Sequence, residues 1–168
     1  MFRKMRRFKQ LLHEEENLRI LREGRTGIMA CLGDDGYPYT VPLNYVYVDG
    51  KIYFHCAKTG HKLDAITACD KVSFCVIDRD DVDADARATN FRSVIVFGRA
   101  KIVTDEEQKL LRARQFGAKY ASSMEAVDQE IKETWNALVI VEITPEHVTG
   151  KERKTLAEAR RAGGMQHC

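Results

Sequence analysis

The sequence predicts a mainly β domain with flanking helices, built as a small barrel of six or so largely antiparallel strands. Four stretches, GIMACLG, YPYTVPLNYVYV, KIYFHCA and KVSFCVID, are rich in β-branched and aromatic residues. Turn chemistry separates them: Asp34-Asp35-Gly36 and Asp49-Gly50 are hairpin signals, the second lying directly between two strand patterns. Helical patterns are few, which argues against a doubly wound sheet.

In chain order, the first twelve residues mix Arg3, Lys4, Arg6, Arg7 and Lys9 with Phe2, Met5 and Phe8. They fit either a basic arm or a solvated terminus that packs two aromatics. From Glu14 to Glu23 the spacing of Leu18 and Leu21, with Ile20 beside them, predicts a short helix that Gly24 stops. The strand from Tyr37 carries Pro38 and Pro42, which have no amide to donate, so it is expected to be an edge, irregular or bulged where they fall. Backbone groups near Val41 to Asn44 are then free to meet something else. Leu63 and Ile66 in GHKLDAITAC mark one helical face, RDDVDADARATN reads as a flexible loop, and Gly98 in FRSVIVFGRAKIV marks a bulge or a close approach. Thr104 and Glu107 form a T-x-x-E capping box for a helix towards Tyr120. A helix from Met124 to Thr134 follows, then the strand ALVIVEIT, which Pro145 is expected to stop. The charged, Ala-rich stretch 153–168 reads as a frayed helical tail on a domain spanning 1–152.

A chain of 168 residues with 44% hydrophobic composition suits one domain of ordinary size. Lys+Arg 27 against Asp+Glu 25 leaves a formal charge of +2, far from that of a dedicated nucleic-acid binder. Cys31, Cys56, Cys69, Cys75 and Cys168 form no CxxC pair and are odd in number, which fits reduced thiols in the cytoplasm. No apolar run is long enough to span a bilayer. A soluble, cytoplasmic protein is expected, with neither nucleic acid nor membrane as partner.

The segment HCAKTGHKLD, residues 55 to 64, raises the chemical question. His55 and Cys56 are adjacent in a strand and point to opposite faces, so with His61 they do not make a convincing metal site. No G-x-S-x-G elbow, Walker A loop or G-x-G-x-x-G is present. Gly60-His61-Lys62 falls where strand should give way to helix, and there free amides and the helix dipole favour an anion, with Lys58, His61 and Lys62 adding charge. An exposed polar loop accounts for the same residues. Spacing alone leaves both readings open. Trp135 beside a strand fits a barrel cap or a ligand contact, Cys56 and Cys75 fit small apolar positions, and His13, His147 and His167 fit the surface. Tyr37, Tyr39, Tyr45 and Tyr47 alternate along one strand and suggest a dimer or core surface.

Taken together, GDDGYPYTVPLNYVYVDGKIYFHCAKTGHKLDAI, KVSFCVID, FRSVIVFGRAKIV and the closing EHVTGKE resemble the pyridoxamine 5'-phosphate oxidase-like flavoproteins, and more narrowly their 5-nitroimidazole resistance branch. The resemblance covers roughly residues 1–152. It implies an FMN-binding split β-barrel that dimerises with flavin at the interface. Val41, Pro42, Leu43 and Asn44 would line the flavin ring. The segment with His55, Ala57, Lys58, His61 and Lys62 would hold the ribityl phosphate, and Arg92 and Ser93 would complete the site from the same or the partner subunit. His61 falls where the resistance branch has a histidine near flavin and substrate. The arginine-bearing C-terminal substrate motif of the oxidases proper is missing, which speaks against vitamin B6 oxidation. The implied activity is two-electron reduction of a small planar nitroaromatic or similar acceptor, with NAD(P)H as a possible donor. A non-catalytic flavin or haem carrier of the same fold is the alternative, and a deazaflavin is an alternative cofactor.

Overall fold

A computed structural model describes residues 2–164; His167, Cys168 and the end of the tail lie outside them. One antiparallel sheet of seven strands organises the chain, in the order β2-β1-β5-β6-β7-β4-β3. The strands are β1 (Thr26–Leu32), β2 (Pro38–Asn44), β3 (Val46–Val48), β4 (Lys51–Ala57), β5 (Lys71–Asp83), β6 (Ala88–Ile102) and β7 (Leu138–Glu152). Helices α1 (Glu14–Glu23), α2 (His61–Ala68), α3 (Glu106–Tyr120), α4 (Met124–Thr134) and α5 (Lys154–Gly164) pack around it.

The turns follow the expected chemistry. Asp49 and Gly50 both adopt positive φ, 52° and 75°, the two left-handed positions that a tight β3–β4 hairpin demands. Asp35 and Gly36 likewise adopt positive φ, 54° and 78°, in the turn between β1 and β2. Strand β2 is an edge, paired only with β1, as its two prolines require.

The stretch YPYTVPLNYVYV is not one strand. It breaks at Tyr45, which has no exposed surface, and its two halves become the opposite edges of the sheet. The alternation of tyrosines ends there: Tyr37 stands in solvent, Tyr39 and Tyr47 are half-buried, and Tyr45 is core. The Tyr45 ring meets Phe74 edge to face at 5.0 Å, with the Lys119 ammonium 4.5 Å above it. The hydroxyl of Tyr120 accepts from the Tyr45 amide at 2.9 Å and lies 2.6 Å from the Arg25 and Tyr45 carbonyls. Burial, aided by Arg25, holds Lys119 down to about 8. Gly24 ends α1 without positive φ; a Cβ there would lie 2.6 Å from the Tyr45 hydroxyl, so packing at this corner selects it.

Four other expectations change. RDDVDADARATN is a hairpin, since β5 continues beyond a bulge at Asp78 and pairs Arg79 to Asp83 with Ala88 to Arg92. The α3 cap is Asp105, whose Oδ1 accepts from the Gln108 amide at 2.8 Å, because Val103 is still held by the Ile140 carbonyl and Thr104 is reached too early. Pro145 does not stop β7. It lies opposite Gly98 at a register shift, where the ladder is interrupted and a missing amide costs little. A Cβ on Gly98 would come within 2.4 Å of the Thr144 carbonyl, so this glycine both admits the bulge and allows the close approach. The tail is docked rather than frayed through Ala162: Ala157 is buried, and Arg160 donates to Glu152 at 2.8 Å and to the Leu11 carbonyl at 3.0 Å.

Two cores result. The barrel interior holds Leu43, Ile52, Phe54, Phe74, Val94, Val96, Val141 and Ile143, with Ile20 and Leu21 of α1 and Leu63 and Ile66 of α2 laid on it. Each such side chain contributes about 1.5–3 kcal/mol of burial. A second cluster, Tyr53, Ala113, Val127, Ile131 and Ile140, joins the outer side of β4 and β7 to the α3–α4 hairpin. Trp135 packs against that cluster beneath Lys109, 3.8 Å from the ring, and so belongs to the helical layer. Burial also pushes the thiols of Cys31, Cys56 and Cys75 up, which fits small apolar roles.

Glu142 illustrates how the strands are pinned. It is nearly buried and accepts from Lys51 at 2.9 Å and Tyr53 at 2.9 Å, with Lys101 3.3 Å away. Burial works to raise its pKa, but these donors outweigh it and hold the carboxyl near 2 against an ordinary 4.5. A depressed folded-state value means stability that is present above pH 4.5 and lost as pH falls towards 2. The linkage amounts to about 3 kcal/mol. Glu142→Gln is expected to flatten the acid limb of the stability curve in that window, measured by urea unfolding at stepped pH. An unchanged limb would assign the acid sensitivity to other carboxylates.

Candidate functional site

The end of β4 leads through Lys58 and Thr59 into α2, and Gly60 makes the turn. Its φ is 137°, a conformation an L side chain rarely adopts, and no atom lies within 4 Å of where a Cβ would stand. The first helical bonds run from the Leu63 and Asp64 amides to the Gly60 carbonyl, at 2.9 and 3.3 Å. The amides of His61 and Lys62 precede this ladder and face outward at the positive end of the helix. Lys58 is exposed and Lys62 half-buried, so a lysine stands on each side of Gly60 in the chain. The arrangement suits a dianionic phosphate better than a carboxylate, since it offers donors from several directions.

His61 is anchored by residues that sequence spacing did not single out. Its ring stacks on Tyr39 with centroids 4.1 Å apart, and Nε2 stands 3.6 Å from an Asp34 carboxylate oxygen. Both partners belong to GDDGYPY, so α2 is clamped to the β1–β2 turn.

Along the β2 edge the residues divide by face. Val41 and Leu43 turn into the barrel core, whereas Pro42 and Asn44 are exposed on the outer face. Val41 and Leu43 therefore have only backbone to offer a ligand outside the barrel. The outer face continues across Ile28, Ile77, Ile95 and Phe97, all at least 36% exposed, with the Phe2 ring stacked on Phe97 at 5.5 Å. Ser93 opposes Ile77 on this face.

Arg92 and Ser93 do not join the 55–62 segment within one chain. Ala57 pairs with Leu138, where β7 begins, and Arg92 pairs with Glu152, where β7 ends. Arg92 is instead tied to Glu152 at 3.2 Å, Asp78 at 3.3 Å and Glu16 at 3.4 Å. Its Nε and Nη1 are thus engaged by three carboxylates of its own subunit.

His55 also faces elsewhere. It lies on the outer side of β4, opposite Ile140, and its ring meets Phe116 of α3 at 4.5 Å. It stands at the rim of a cleft of about 280 Å³ between β4, β7 and the α3–α4 hairpin. Phe116, Tyr120, Val127, Ile131, Leu138 and Ile140 form the apolar wall, with Glu130 and Thr134 the other polar residues. Desolvation lowers the His55 pKa, Glu130 opposes this weakly, and Lys62 adds to it, so the imidazole is neutral at pH 7.

Comparison with known proteins gives a consistent outcome. The sequence family described as pyridoxamine 5'-phosphate oxidase matches residues 13–152. No curated protein matches the sequence. Among solved structures, a conserved hypothetical protein from Mycobacterium tuberculosis is 23% identical with a TM-score of 0.77, covering 90% of this chain and 92% of the other. An FAD-binding protein from Mesorhizobium loti is 25% identical with a TM-score of 0.64, covering 86% and 97%. A candidate 5-nitroimidazole antibiotic resistance protein from Bacteroides thetaiotaomicron is 17% identical with a TM-score of 0.68, covering 84% and 85%. Among the described residues, no helix is long and apolar enough to cross a membrane.

Proposed function

The chain belongs to the pyridoxamine 5'-phosphate oxidase family, and we propose that it is an FMN-dependent oxidoreductase, active as a homodimer, that delivers two electrons to a small nitroaromatic or similar planar acceptor. The observation that carries this reading is the turn at Gly60, with its outward amides, Lys58 and Lys62. These residues fit a flavin phosphate in charge, donor number and open space. The free edge of β2 at Pro42 to Asn44 would meet the ring system, and the apolar outer face of β1, β5 and β6 would pair with a second copy. Ser93 would then face the partner's flavin. When bound, the flavin supplies the electron-transfer chemistry. The chain holds its phosphate and, through His61 clamped between Tyr39 and Asp34, orients the acceptor or gives it a proton.

The first test is the visible spectrum of the purified protein, repeated anaerobically after NADH and then after a 5-nitroimidazole. Flavin bands that bleach and return support the reductase. Flavin bands inert to both support a carrier, and a protein without flavin overturns the site.

Lys62→Ala is expected to weaken flavin binding by at least tenfold, since a charge-assisted contact to phosphate is worth about 1.5–3 kcal/mol. His61→Ala should reduce turnover more than flavin retention. Fluorescence titration of the apoprotein with FMN measures the first and stopped-flow reoxidation the second; unchanged values for both variants would remove α2 from the site.

A further inference from the structure

The N-terminal segment has no role in the function proposed above, and its charge is distinctive. Residues 1–12 hold five of the 27 basic side chains and no carboxylate, so the rest of the chain is net negative. The formal charge of +2 conceals this separation. Nor is the segment a loose arm. Phe2 stacks on His147 with centroids 4.7 Å apart, Leu12 donates to the Gly150 carbonyl at 3.0 Å, and Leu11 bridges to Lys151. Arg160 and Arg161 of α5 donate to the Leu11 and Lys9 carbonyls, which holds the 3-10 turn at Phe8–Gln10 against that helix. Elsewhere Arg19, Arg79, Arg92, Arg99, Arg112 and Arg114 each pair with a carboxylate. Arg3, Lys4, Arg6, Arg7 and Lys9 are exposed, and among the described residues none of them pairs with one. Arg6, Arg7, Lys9 and Lys154 line one open cleft of about 300 Å³ together with Phe8 and Gln10. Glu158, 3.5 Å from Lys154, offsets one of these charges. The Phe8 ring is 65% exposed, and Oε1 of the buried Gln10 has no hydrogen-bond partner.

We propose that the surface formed by residues 3–9 and the start of α5 docks on a membrane rich in anionic phospholipid, with Phe8 entering the headgroup layer and Arg6, Arg7, Lys9 and Lys154 lying against the phosphates. An exposed ring by itself is ordinary. A ring that stands out among unpaired cations, on a segment held in place, has the form of an interfacial anchor. A nucleic-acid strand calls for a row of stacking rings or a groove that follows its backbone. Phe8 is a single ring, since Phe2 is folded back onto His147. Docking on a surface needs no spanning segment, so the proposal is compatible with helices too short or too polar to cross a membrane. It replaces the expectation of no membrane partner, which the lack of a spanning run suggested.

The experiment sediments the purified full chain with vesicles of phosphatidylcholine, alone or with about 30% phosphatidylserine. Binding to the anionic vesicles only is expected, and it should be lost by about 0.5 M salt, where screening confines charge effects to a few ångström. Each cation at such a surface multiplies affinity about fivefold, so the double variant Arg6→Glu/Arg7→Glu should weaken binding by at least about a hundredfold. Phe8→Ala should weaken it by about tenfold. Lys132→Glu, at an exposed position of α4, should leave it within about twofold. Phe8→Trp should gain blue-shifted emission on the anionic vesicles, while Trp135 of the parent protein, packed in the helical layer, keeps its emission. Equal binding to neutral vesicles, or none to either kind, would overturn the proposal, as would full binding by both the double variant and Phe8→Ala. Tighter binding to a single-stranded oligonucleotide than to the anionic vesicles, lost in the same variants, would overturn the lipid assignment in favour of nucleic acid. The variants should match the parent in flavin content and urea midpoint, which separates docking from folding. Because the readout is vesicle binding, failure of the spectral test leaves this result to stand or fall separately.

Discussion

Glu152→Gln is expected to lower the unfolding free energy by about 3 kcal/mol, among the largest effects of any single polar substitution in this chain. The carboxylate has no exposed surface, and its two oxygens take Arg92 at 3.2 Å and Arg160 at 2.8 Å. A glutamine of the same shape keeps one acceptor and turns an amide donor towards a guanidinium donor, leaving a positive charge unmatched. The loss spreads through what the arginines hold: Glu16 and Asp78 through Arg92, and the Leu11 carbonyl through Arg160. Urea unfolding measures it, and because the acid is buried the loss should persist in 1 M salt on the order of full surface screening. Arg79→Ala, which breaks an exposed pair with Asp81, should change stability by less than about 0.5 kcal/mol. A Glu152→Gln cost no larger than that would show the network to be solvated. The same network gives warning that loss of flavin in an Arg92 variant reports folding before it reports binding.

Tyr45 carries the second large effect, with opposite signs for two substitutions. Tyr45→Ala should cost about 4 kcal/mol, since it removes a fully buried ring packed against Phe74 and leaves a cavity where the two edge strands meet. Tyr45→Phe should be neutral or stabilising by about 1 kcal/mol, because the buried hydroxyl has no hydrogen-bond partner and its removal ends a desolvation cost. Thermal and urea unfolding of the pair decide this. A destabilised phenylalanine variant would mean that a water meets the hydroxyl.

Elements whose signals are local were legible in the sequence. The extents of α1 and α4 match those expected from the sequence, the Asp49-Gly50 turn follows from backbone conformation, and the edge position of β2 from its prolines. The misreadings share a different cause. The hairpin at 79–92, the run of β7 through Pro145 and the break at Tyr45 are decided by partners far along the chain, and polar or proline-bearing segments do not announce such pairing. The α2 turn of the candidate site was readable because its chemistry is contiguous from Ala57 to Lys62. The separation of Arg92 from that turn, the clamp of Tyr39 and Asp34 on His61, and the turning of His55 towards α3 depend on strand order, which composition does not encode.

The unpaired edge of β2 carries one more consequence. A strand that leaves its outer backbone groups free for a ligand is also a template on which a strand from another chain can grow, the first step of ordered aggregation. Pro38 and Pro42 withhold two amides from that edge, four residues apart, so an incoming strand meets gaps where it needs donors. The residues that keep the edge open are therefore those that keep it from propagating.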